Sequence, residues 1–218
     1  MAIFPVVAAE QVHFSEQHAK ALSGFRYIIR RIYLRKGKTM NKHLTLVREF
    51  HEKFSIAQPV YPETMHLSDM DIVMRQALLL ECGSETFKAI AVSDQSKTLA
   101  GLVDLAYNAL AAIACRGDDV IPVSVSCRQD GSALSPVKTL SEKINDCTSG
   151  DTVHYSTLYS LCMHLAANFI GADFDKAFQI VHNNLLTQEG HGVAKNYEQR
   201  IQQETLSKAP DLGDALFE

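Results

Sequence analysis

KTLAGLVDLAYNALAAIACRG, residues 97–117, decides the fold. Apolar and alanine residues fill almost every position, no proline interrupts the run, and Gly117 supplies a stop, so the stretch reads as one long helix. A helix that is apolar nearly all round belongs at the centre of a bundle. Asp104 is almost the only polar group within GLVDLAYNAL, and a carboxylate in a buried helix needs a ligand or a hydrogen-bond partner.

Working outward, Ser68 and Asp69 offer N-caps to a preceding helix that runs to about Val92, lined by Ile72, Met74, Leu78, Leu79, Phe87 and Ile90. Gly83 inside it costs about 1 kcal/mol relative to alanine, which points to close approach of a neighbour. The polar turn Ser93–Lys97 joins the two helices as an antiparallel hairpin. Further back, NKHLTLVREFHEKF (residues 41–54) puts Leu44, Val47, Phe50 and Phe54 on one helical face, ahead of a loop with Pro59 and Pro62.

Beyond Gly117, residues 120–152 are the least helical part. VIPVSVSC (residues 120–127) alternates, as a short strand or an extended loop does, and a capped helix follows over about 136–145. Two more helices are expected in HYSTLYSLCMHLAANFIGA (residues 154–172) and DFDKAFQIVHNNLLTQ (residues 173–188), the second opened by Asp173. The division expected is a basic helical extension over residues 1–39, a helical domain over 40–188 with an insertion at about 120–152, and a polar tail over 189–218 holding one exposed helix. The extension sets Phe25, Ile28, Ile29 and Ile32 at helical spacing among Arg26, Arg30, Arg31, Arg35, Lys36 and Lys38. An extra packed helix is the plainer reading of it, contact with nucleic acid or an anionic surface the sharper one. The fold class expected is all-α.

Composition narrows the functions. Of 218 residues 46% are hydrophobic, enough for a sizeable core, and a net charge of −4 argues against a protein that coats nucleic acid. Five cysteines without a C-x-x-C pair or zinc spacing, and an opening MAIFPVVAAE that lacks a basic n-region, lead to the expectation of free thiols and a cytoplasmic location. No apolar stretch is expected to approach the roughly 20 residues of a membrane span. P-loop and zincin motifs are absent from the sequence.

Chemistry concentrates on the hairpin. Glu81 and Glu85 stand one turn apart on the first helix, and Asp104 and Asn108 one turn apart on the second. If the two faces meet inside the bundle, their oxygens converge, and Mg²⁺ would relieve the repulsion between buried carboxylates. The plainer alternative is that Glu81 and Glu85 face solvent and pair with Lys88 or Arg75.

The serial order VREFHEKF, RQALLLECGSETFKAI, LVDLAYNALAAIACRGDD and FDKAFQIVHNN resembles the all-α MazG-like and phosphoribosyl-ATP pyrophosphohydrolase-like superfamily, over about residues 41–119 and 173–187. The resemblance implies a four-helix-type bundle that hydrolyses nucleoside triphosphates to monophosphate and pyrophosphate with Mg²⁺, or Mn²⁺ in its place, and assembles as a homodimer or larger homo-oligomer. It implies Glu81, Glu85 and Asp104 as metal ligands; Asn108 could add one oxygen, and Glu81 is the carboxylate placed to accept a proton from water. Arg75, Tyr107, Asn183 and Asn184 are implied at the nucleotide; His182, beside Asn183, is a further candidate for a phosphate, with helix packing the plainer reading of it. The pattern departs from the family where Cys82 replaces the middle glutamate, Ala100 and Gly101 stand where an acid precedes Asp104, and Gln188 replaces a lysine. Cys82 is a poor ligand for a hard cation. Two function classes therefore stand side by side: a divergent Mg²⁺-dependent pyrophosphohydrolase, and a non-catalytic relative that keeps the fold for nucleotide binding or assembly.

Overall fold

The computed structural model describes residues 40–59, 64–127, 132–187 and 210–217. The chain divides at Thr39/Met40 into two units. The basic helix expected within residues 1–39 lies outside the described residues, as does most of the tail.

Six α-helices form the described part of the second unit: α1 (Lys42–Lys53), α2 (Asp69–Ala91), α3 (Gln95–Arg116), α4 (Leu134–Asp146), α5 (Thr152–Leu165) and α6 (Phe174–Thr187). No strand occurs among the described residues, so the fold is all-α there.

Local chemistry explains most helix ends. Asn41 opens α1 by accepting from the His43 and Leu44 amides at 3.0 and 3.1 Å. Ser68 and Asp71 form a reciprocal capping box on α2, Asp94 accepts from Lys97 N on α3, and Asp173 accepts from Lys176 N on α6. Gly117 ends α3 at φ 76°, a left-handed conformation that glycine adopts without a Cβ clash. On α4 and α5 the N-cap residues Ala133 and Asp151 make no side-chain cap bond, although Ser132 Oγ accepts from Leu134 N at the start of α4 (3.2 Å).

α3 is the axle of the bundle, packed against α1, α2, α5 and α6. From Gly101 to Ala114 every residue is buried except Asp104 and Asn108. Each buried leucine along it contributes about 2 kcal/mol of transfer free energy. Length and composition alone would let α3 cross a bilayer, contrary to the sequence expectation, but most of its apolar surface is covered by neighbouring helices. The α2–α3 crossing is tight because Gly101 has no side chain: a Cβ there would lie 2.2 Å from Thr86 Oγ1 and 3.2 Å from Thr86 Cα. Gly83 plays the expected part toward α4, where a Cβ would meet Ile144 Cδ1 at 2.8 Å.

Residues 120–127 settle as extended loop rather than strand. Two of their amides find side-chain acceptors, Val120 N donating to Asp119 Oδ1 (2.7 Å) and Ile121 N to Ser156 Oγ on α5 (3.0 Å). α5 runs into a π-turn at Ala166–Ile170, and residues 210–217 fold back beside it. Asp173 N donates to Ala215 O and Phe217 N to Gly171 O, while Leu212 and Ala215 are fully buried. Leu212 and Ala215 thus join the core, while Asp211, Gly213, Asp214 and Phe217 stay exposed.

Candidate functional site

The hairpin brings the candidate acidic residues onto one edge. Asn108 Nδ2 donates to Cys82 Sγ at 3.4 Å, and Thr86 abuts Gly101, so the antiparallel register sets Glu85 level with Asp104 and Glu81 level with Asn108. The edge faces outward, however. Glu81, Glu85 and Asp104 are all exposed, and Asp104 is the one exposed residue of α3 between Gly101 and Ala114. This corrects the expectation of a buried aspartate and of carboxylates turned into the bundle. An all-round apolar pattern conceals a single exposed strip when only two residues mark it.

Glu85 Oε1 is taken by Lys88 Nζ at 2.6 Å, with both side chains 68% exposed, the solvent-facing pairing weighed as the alternative. Cys82 offers sulfur where a hard cation takes oxygen, and the Asn108 amide nitrogen donates to Cys82 Sγ and to Asp104 O (3.0 Å), so Oδ1 is the atom through which Asn108 would ligate. Among the described residues no group of three or more His, Cys, Asp or Glu is placed to share a metal ion.

The residues implied for nucleotide contact are distributed elsewhere. Arg75 is buried on the inner side of α2. Tyr107 lies in the core, its hydroxyl 3.3 Å from His182 Nδ1 and its ring stacked on Phe178 at 5.4 Å. Burial pushes the His182 ring toward its neutral form by lowering its pKa. Asn183 is exposed, its Oδ1 accepting from Gln179 Nε2 (2.9 Å), and Asn184 is half-buried on the same helix. The fold thus gathers Glu81, Glu85, Asp104 and Asn108 on one edge, and places Tyr107 and His182 against each other inside.

A second constellation was missed from the sequence. His43, only 2% exposed, sits between Tyr159 and Asp175: Nδ1 is 2.8 Å from Tyr159 Oη and Nε2 is 3.1 Å from Asp175 Oδ1. Desolvation lowers its pKa to about 4, outweighing the pull of Asp175 toward the charged form. The ring is therefore neutral at pH 7. A carboxylate only accepts, so Nε2 carries the proton and donates to Asp175, which leaves Nδ1 to accept from the Tyr159 hydroxyl. Asn41 Nδ2 donates to the same hydroxyl at 3.2 Å, and Lys42 completes the cluster at Asp175. Burial raises the Tyr159 pKa to about 12, which keeps the phenol protonated. A base beside an acid would suit catalysis, but both rings are enclosed, so the array is a strut between α1, α5 and α6. The only signal for it in the sequence is that His43 shares the buried face of α1 with Leu44 and Val47.

The acidic turn after α3 is also structural. Arg116 Nε reaches Asp118 Oδ2 (3.1 Å) and Thr152 Oγ1 (2.8 Å), its Nη1 donates to Gly150 O (2.7 Å), and Arg48 Nη2 donates to Asp118 O (2.9 Å). The five cysteines are free thiols, and burial raises the pKa of Cys147 to about 12 and that of Cys162 further. Neither forms thiolate near neutral pH. No family model, curated protein or solved structure matches the chain.

Proposed function

We propose that this chain is a divergent, non-catalytic relative of the MazG-like pyrophosphohydrolases that keeps their helical bundle as a binding or assembly module. The order of the four motif-bearing helices, α1, α2, α3 and α6, supports the kinship, with α4 and α5 lying in the unmatched stretch. One observation carries the loss of catalysis: where the family pattern needs hard oxygen donors, Glu85 is neutralised by Lys88 in solvent and Cys82 sits against Asn108. A pair exposed to this degree is worth well under 1 kcal/mol and would give way to an ion, so the reading rests chiefly on Cys82 standing where the family pattern has a glutamate.

A second reading, the Mg²⁺-dependent pyrophosphohydrolase, has in its favour that Glu81, Glu85, Asp104 and Asn108 do share one edge. It requires further oxygen donors at that edge, which a homo-oligomer would have to bring. Thermal melts with and without Mg²⁺ separate the two. The module reading predicts the same Tm in both, and a neutral Glu85→Ala. A metal site predicts a rise of Tm with Mg²⁺, since a ligand at 100 times its Kd adds about 2.7 kcal/mol, and loss of that rise in Glu85→Ala.

A further inference from the structure

We draw no further inference here: the strongest candidate, the face of α2 that carries Met70, Val73 and Leu80 at 67%, 60% and 56% exposure, rests on those side chains alone, and nothing in the structure shows what covers it.

Discussion

A neutral imidazole clamped between a phenol and a carboxylate makes stability depend on pH. Between the unfolded value of 6.5 for His43 and its folded value of about 4, the unfolded chain binds a proton that the folded chain does not. The contribution of His43 is therefore complete above pH 6.5 and declines as pH falls toward 4, by up to about 3 kcal/mol. His182 shifts in the same direction. Urea midpoints measured across this window should fall with pH, and His43→Gln should flatten the slope without abolishing it; an unchanged slope would mean the ring is charged in the fold. Glycines give a second prediction at this scale. Gly101→Ala forces a Cβ onto Thr86 backbone and should cost about 1–3 kcal/mol in urea unfolding. Gly83→Ala meets only the tip of Ile144, and a helix-propensity gain of about 1 kcal/mol offsets the crowding, so it should lie near neutral. Equal losses at the two sites would contradict the packing described.

At the level of elements, helix ends were the most legible feature. Ser68, Asp173 and Gly117 each act within a few residues of their own position, so the local sequence contains the whole mechanism. Asp104 was misjudged for the opposite reason. Periodicity shows that α3 is apolar nearly all round, but which strip stays exposed depends on where α2 and α5 stop, and that information is tertiary. His43 was overlooked likewise, since its partners Tyr159 and Asp175 come from helices far along the chain. The two kinds of cap can be separated by mutation. Ser68→Ala removes an exposed box and should cost about 1 kcal/mol. Asn41→Ala removes a cap and also the hydrogen bond to Tyr159, so it should cost more, about 2 kcal/mol. Chemical denaturation of the two variants provides the comparison, and a smaller loss at Asn41 would mean that the strut contributes nothing.

For the whole molecule, burial separates scaffold from surface. The polar residues with organised partners, His43, Tyr159, Arg116 and Tyr107, are in or near the core and tie helices together. The acids that would define a hydrolase stand outside, on an edge beside the exposed side chains of Met70, Val73 and Leu80. An all-α bundle was readable from the central helix alone, whereas the state of its acidic edge was not, because residue identity places carboxylates on a helix without saying whether a neighbour encloses them. The most direct test of the account is pyrophosphate release by the full chain from a panel of ribo- and deoxyribonucleoside triphosphates with Mg²⁺ or Mn²⁺. The account predicts no release above the protein-free rate. Turnover that disappears in Glu85→Gln would contradict it and restore the edge as a catalytic metal site.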